Sequence, residues 1–390
     1  MTSGDIAFHR PSPDARELEA VREVLASGWL TTGPRVREFE QQIAALVGAR
    51  HAVAVNSCTA ALHLALEAVG VAAGDEVIVP TMTFAATGEI VHYVGARPVL
   101  VDSVPDTLNM DPDDFARRIT PSTRAVIPVH YAGHPCDMDA IVEVANRAGV
   151  RIVEDAAHAL PARYRGRMIG SIGDLTAFSF YATKNLATGE GGMLCTDSDD
   201  WERRARLMSL HGLSRDAWRR YASDGSWDYA IMAPGFKYNL SDVLAAVGSV
   251  QLQKLAGFQD RRRDIVARYQ AAFGDLDAVE CPVERPEVEH AWHLYVLRLR
   301  LDRLDIDRNG AIEELRRLGV QTSVHFIPLH MHPYYREAWG FRPEDFPVAF
   351  AASQRIISLP LYPAMDDEAV ERVVGAVREV VGRHRRQRVL

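Results

Sequence analysis

Four cysteines in 390 residues, Cys58, Cys136, Cys195 and Cys281, lie far apart and form no CxxC pair. That scarcity argues against a zinc site and against a disulfide framework, and it suits a reducing compartment. No apolar run reaches about 18 residues, the length a membrane span needs. The N-terminus, MTSGDIAFHR, lacks the basic segment followed by an apolar one that marks a secretory signal, so the cytoplasm is the expected location. Positive charge is not in excess either: 44 Lys and Arg stand against 52 Asp and Glu, a net charge of −8. A chain so charged has no general attraction to nucleic acid or anionic membrane, and any anionic ligand must be gripped locally. The basic stretch from Arg383 to Arg388 reads as a solvated tail. No repeat or low-complexity segment occurs. What remains is an ordinary globular composition, 47% hydrophobic and 25% charged, long enough for one large or two medium domains.

Short β-branched runs alternate with helical patterns over the first two thirds. HAVAVN (His51 to Asn56) reads as a strand and runs directly into TAALHLALEAVG, where Leu62, Leu66 and Val69 recur at helical spacing. EVIVP, ARPVLVD, RAVIPVH and RIVEDA continue the strands, with helical patterns between them. This rhythm predicts a mostly parallel sheet covered by helices on both faces. After about residue 241 the rhythm changes. Helical stretches are expected from Ser241 to about Leu255 and from Gln259 to Phe273, then HLYVLRLRL, a helix near Asp307 to Leu318, and VQTSVHF. That order predicts a large α/β domain over residues 1–257 and a smaller α+β domain over 258–390.

The chemistry concentrates in FSFYATKNLATGEGG, Phe178 to Gly192. Here Lys184 follows a short apolar strand and precedes a glycine-rich turn, with Ser179 five positions upstream. A lysine at a strand end in a closed pocket can lose its proton and attack an aldehyde, because burial disfavours the ammonium. Asp155 ends the strand RIVEDA. A carboxylate there can hold the proton of a pyridine nitrogen, although alone it would pass for a turn residue. Asn56 to Thr59 join a strand to a helix start, where free N–H groups and the positive dipole end can receive a phosphate; Ser57 and Thr59 taken singly read as N-caps. Phe84, just past EVIVP, can stack on a flat ring or fill the core. His158 can cover the other ring face or stay structural. The TGEGG turn reads as a tight turn permitting backbone approach. Lysine, acid and phosphate cradle together are the requirements of pyridoxal phosphate (PLP).

These residues stand in an order that resembles the DegT/DnrJ/EryC1/StrS family of PLP-dependent sugar aminotransferases. The resemblance runs from SGWLTTGPRVREFE through NSCTAALHLAL, DEVIVPTMTFAAT, IPVHYAG, EDAAHA, FSFYATKN and EGG to GFKYNLSDVLAA, HAWHLYVLRL and SVHFIPLH. It implies the type I aminotransferase fold and a homodimer with active sites at the interface. It further implies that Lys184 bonds covalently to the cofactor, Asp155 meets the pyridine nitrogen and Phe84 stacks on the ring. The backbone at Cys58 and Thr59, with the Ser179 hydroxyl, would hold the phosphate, and Asn239 would reach the phosphate of the partner subunit. His158 stands where many relatives have glutamine. His325, His330 and Tyr335 resemble the segment near the sugar pocket.

Within the family the motifs are similar to those of enzymes that aminate C4 of a nucleotide-linked 4-keto sugar with glutamate as donor. SGWLTTGP, PVHYAG and EDAAHA resemble the enzymes making UDP-4-amino-4-deoxy-arabinose, but Phe84, the segment after Lys184 and the many Arg and Ala residues of a GC-rich source put a dTDP-4-keto-6-deoxyhexose ahead of that UDP-4-keto pentose as the expected acceptor. Arg215, Arg219 and Arg220 are candidates for the substrate diphosphate, or simply a solvated loop face. A sugar dehydratase is disfavoured because such relatives replace the lysine with histidine. An amino-acid aminotransferase is disfavoured because VHFIPLHMHPYY stands where a carboxylate-binding arginine motif would be expected. A PLP-binding regulator without turnover is the alternative from outside enzymology.

Overall fold

The computed structural model describes residues 4–214 and 230–386. Five strands and their crossover helices come first: β1 (His51–Val55), β2 (Glu76–Pro80), β3 (Arg97–Val101), β4 (Thr123–Val126) and β5 (Arg151–Asp155). A short hairpin follows, β6 (Arg163–Tyr164) and β7 (Arg167–Met168), and then β8 (Leu175–Ser179) and β9 (Gly192–Thr196). The main sheet has seven strands in the order β1-β9-β8-β5-β4-β2-β3. β2, β3, β4, β5 and β8 pair in parallel, while β9 runs antiparallel to both its neighbours. The mostly parallel sheet expected from the strand–helix rhythm is therefore present, with β9 the one reversed strand.

Both faces of the sheet are covered, which is why its strands read as near-continuous apolar runs. Val53, Val55, Val77 and Val79 point into one core with α3 (Cys58–Ala68), α4 (Ala85–Tyr93) and α7 (Asp199–Met208). Ala52, Ala54 and Ile78, the intervening residues, point into the other with α2 (Pro34–Val47), α5 (Pro112–Arg118), α6 (Met138–Ala148) and the start of α8 (Asp242–Phe273). The period-2 alternation of a strand divides them. Helix α1 (Ala15–Ser27), closed by an Asp14 capping box, lies against α8.

A third core holds the C-terminal part. Its sheet has the order β10-β12-β13, from Val279–Glu280, Tyr295–Leu299 and Ile356–Leu359, with β11 (Val288–Glu289) joining the β6–β7 hairpin. Against it lie α9 (Arg308–Arg317) and α12 (Asp367–Arg383), while α10 (Pro333–Trp339) and α11 (Pro347–Ser353) pack into the first core. The N-terminal segment crosses to this part, where Ile6 exchanges backbone hydrogen bonds with Gly319 and Gln321.

The two helices expected on either side of Gly257 are one helix of 32 residues. Gly257 has open space around it and α-helical backbone, and no proline interrupts the run. A lone glycine costs about 1 kcal/mol relative to alanine, too little to break a helix packed on both sides. Gly257 thus stands inside the element that joins the two parts. No helix among the described residues is long and apolar enough to cross a membrane.

Candidate active site

β1, β2, β5 and β8 share one direction, so the residues after them gather at one edge of the sheet, where ligands of open α/β folds bind. Ser57–Thr59, Thr81–Phe84, Asp155–His158 and Ser179–Lys184 are those residues. Lys184 lies on the loop between β8 and β9, whose ends close through the pairing of Ser179 with Gly192. Inside the loop, Lys184 N donates to Tyr181 O at 2.9 Å and Thr188 N to Phe180 O at 2.8 Å. Burial pushes the Lys184 ammonium down from 10.5 to about 8, against the pull of Cys58 and Asp155.

Asp155 is 6% exposed. Its Oδ2 accepts from Thr87 Oγ1 at 2.8 Å and its Oδ1 from Ala157 N at 3.1 Å. Thr87 spends its one hydroxyl hydrogen on the carboxylate, so the 2.7 Å contact with Thr83 Oγ1 takes its hydrogen from Thr83. Burial raises the Asp155 carboxyl above its ordinary range, while these hydrogen bonds and the charges of Lys184 and His130 hold it down. His158 packs against Phe326, ring centroids 5.8 Å apart and nearly parallel, and against His293 at 4.4 Å. Its Nδ1 is buried with no hydrogen-bond partner among the described residues. Burial first, and then the charges of Lys184 and His325, push this imidazole well below its ordinary value, so it is neutral.

Phe84 caps α4 and is 63% exposed, an unusual place for a phenylalanine, with its ring 6.1 Å from that of Phe326. At the start of α3 the Ser57 hydroxyl accepts from Ala60 N at 3.1 Å. The amides of Cys58 and Thr59, in the first turn, have no intrahelical acceptor. Gly192 lets β9 lie against this turn: a Cβ there would stand 2.5 Å from Ser57 O and 2.7 Å from Cys58 N. Ser179 Oγ accepts from Tyr181 N at 3.3 Å. The Cys58 thiol points the other way, to Ala177 O at 3.6 Å.

This geometry meets a clear set of relatives. The DegT/DnrJ/EryC1/StrS aminotransferase family matches residues 11–378. The chain belongs to that family. It is 50% identical to the spore coat polysaccharide biosynthesis protein SpsC of Bacillus subtilis over 377 residues, covering 96% of this chain and 97% of SpsC. Spr1654 of Streptococcus pneumoniae, named as a sugar aminotransferase and solved in its PLP form, superposes with a TM-score of 0.91 at 35% identity, covering 97% of this chain and 99% of that one. DesV of S. venezuelae superposes at 0.86 with 37% identity and 94% coverage of each chain. The protein is thus a PLP-dependent sugar aminotransferase with the type I fold.

The aminotransferase's own residues fit PLP. A buried carboxylate held open by Thr87 and Ala157, an exposed aromatic at Phe84, an unpartnered nitrogen on His158, free helix amides and a depressed lysine share one sheet edge. A ring, a phosphate and an aldehyde would meet each of them.

Other expected residues stand differently. His325 lies beside the site: burial and the Lys184 charge push it down to about 4, Nδ1 is 2.9 Å from Ser358 Oγ, and Tyr131 donates to its carbonyl. His330 is wholly buried, with Nδ1 2.7 Å from Thr81 Oγ1 and its ring against Phe346. Tyr335 is 3% exposed and stacks on Trp339, its hydroxyl filling the space that a Cβ on Gly88 would take. Both are packed in the protein interior. Asn239 flanks β1 through a bridge to Val55; its Nδ2 donates to Thr32 Oγ1 at 2.7 Å and its Oδ1 accepts from Lys237. Arg215, Arg219 and Arg220 lie outside the described residues.

Four residues at the site went unassigned in the sequence: Thr87, Phe326, His293 and Asn185. Thr87 was findable, since it stands one helical turn after Phe84. Phe326 and His293 come from the C-terminal part, and only the fold brings them to His158.

Proposed function

We propose that the enzyme moves an amino group from L-glutamate to C4 of a nucleotide-linked 4-keto sugar, with a dTDP-4-keto-6-deoxyhexose as the acceptor. The observation that supports its catalytic part, amino transfer on PLP, is the placement of a depressed amine, Lys184, and a buried carboxylate, Asp155, at one sheet edge. Bound there, PLP supplies an electron-poor ring that absorbs charge from a carbon losing its proton. Lys184 is the base: with its ammonium near pH 8, a useful share of the amine is free at neutral pH, and it both takes and returns a proton. Asp155 keeps a proton on the ring nitrogen, and Thr87 aims it. Cys58 and Thr59 amides and the Ser179 hydroxyl bind the phosphate, Phe84 covers one ring face, and His158 contacts the ring from its neutral state.

Membership of a sugar aminotransferase family, and similarity to a spore coat polysaccharide protein, support a sugar acceptor destined for a polysaccharide or glycoside. Asn239 completes the phosphate site of a partner subunit in a homodimer. Its position at the protomer's β1 edge, with its side chain bonded to Thr32 and Lys237, supports that role. His325 lines the sugar side. Incubation with PLP, glutamate and a panel of dTDP- and UDP-4-keto sugars, with products identified by mass and NMR, tests the reading. Amination of the dTDP-hexose is expected. Exclusive amination of a UDP-pentose or of a 3-keto sugar would replace it.

A further inference from the structure

The motif HAWH carries no part in the chemistry above, yet its second histidine reaches the site. His293 is 6% exposed. Its Nδ1 lies 3.1 Å from Asn185 Oδ1, while Asn185 Nδ2 donates to Ala291 O at 2.7 Å. The bond to Ala291 fixes the amide so that its oxygen faces the ring, and an amide oxygen only accepts, so Nδ1 of His293 carries the hydrogen. Asn185 directly follows Lys184. On the other side, Arg262, 1% exposed, donates to the carbonyls of Trp292 at 3.2 Å, His293 at 3.5 Å and Leu361 at 2.8 Å. The ring so fixed stands 4.4 Å from that of His158. Burial, and then the charges of His158, Lys184, Arg262 and His325, hold His293 well below its ordinary value. A proton on either imidazole would set a like charge against the Lys184 ammonium.

We propose that His293, anchored on Asn185, is a positioning residue for transamination: it orients His158 and ties it to the loop of Lys184. The inference rests on PLP chemistry at this site and is independent of which sugar is the acceptor.

The test uses the resting holoenzyme without substrate. The visible absorbance of the lysine-bound cofactor is titrated with pH in Asn185→Ala, His293→Phe, the double variant and His293→Gln. Phenylalanine keeps a ring beside His158 but has no donor for Asn185. Each single variant is expected to move the midpoint the same way by at least about 0.5 pH unit with PLP still bound. The double variant should add less than about 0.2 unit to the larger single shift, because both break one bond. Glutamine, which restores a donor, should recover at least roughly half the shift. An unmoved midpoint in Asn185→Ala, additive shifts, or release of PLP in place of a shift each overturns the proposal. If His293→Phe does not fold, Asn185→Ala decides alone, since it leaves both imidazoles in place.

Discussion

Lys184→Met in the cofactor-free protein isolates what burial does to the catalytic amine. Methionine has nearly the length of lysine and no charge. In the folded wild type the ammonium loses its proton near pH 8; in the unfolded chain it does so near 10.5. The difference corresponds to roughly 3 kcal/mol between the charged and neutral amine in this site. The sign follows from proton counting. Between about pH 8 and 10.5 the unfolded chain holds the extra proton, so wild-type stability rises with pH through that window. Below about 8 both states are charged and the full penalty is present. The methionine variant escapes it, so it should be more stable than wild type by about 3 kcal/mol at pH 7 and by under about 1 kcal/mol at pH 10. Groups outside the reach of the Lys184 charge cancel in the difference. Urea midpoints at pH 7, 8.5 and 10, at one protein concentration, read it directly. A variant no more stable than wild type at pH 7, or an advantage unchanged at pH 10, would refute the claim that burial frees this amine. The same variant should show no transamination.

Thr87→Val removes a hydrogen bond to a buried carboxylate, worth about 1.5–3 kcal/mol, and should lower kcat at least roughly tenfold in steady-state assays. Gly192→Ala drives a methyl into the Ser57 carbonyl, 2.5 Å away, and must displace the start of α3. PLP affinity measured by fluorescence quenching should fall by at least about tenfold if that helix start grips the phosphate. Phe84→Ala gives up a stacking contact worth about 0.5–1.5 kcal/mol, so the PLP Kd should rise roughly two- to tenfold. Because Phe84 is largely exposed, the circular dichroism spectrum should not change.

Much of the site was legible because its parts are local. Asp155, Lys184, Phe84 and Cys58–Thr59 each follow directly on a strand of the parallel set, and a shared strand direction is enough to gather them. The turn reading of TGEGG also held for a local reason: Gly189 has φ +94°, and Gly192 lies against Ser57. The reversed direction of β9 was not legible, since GMLCT is as apolar as its parallel neighbours and pairing leaves no mark on such a run. The helix through Gly257 was misread as two because one glycine and a change from apolar to charged residues look like a break. In the fold that change marks the passage from one core to another along a single rod. His330 and Tyr335 were named with His325 because their segment resembles the one near the family's sugar pocket. A chain segment lining a cavity turns only some of its side chains inward, and these two face the packed interior. His293 and Asn185, 108 positions apart, meet only in three dimensions.

The closed loop between Ser179 and Gly192 has a consequence for how far the reactive nitrogen can travel. Its stem is zipped to the last residue pair, and Thr188 and Lys184 bond back onto it, so the main chain at position 184 is pinned like the foot of a crane. Whatever distance the amine covers between gripping the cofactor and ferrying a proton has to come from rotation about its own four methylenes. Those turns ask no backbone bond to break. A tethered arm on a fixed base lets one side chain serve as anchor and shuttle in a single cycle without loosening the fold.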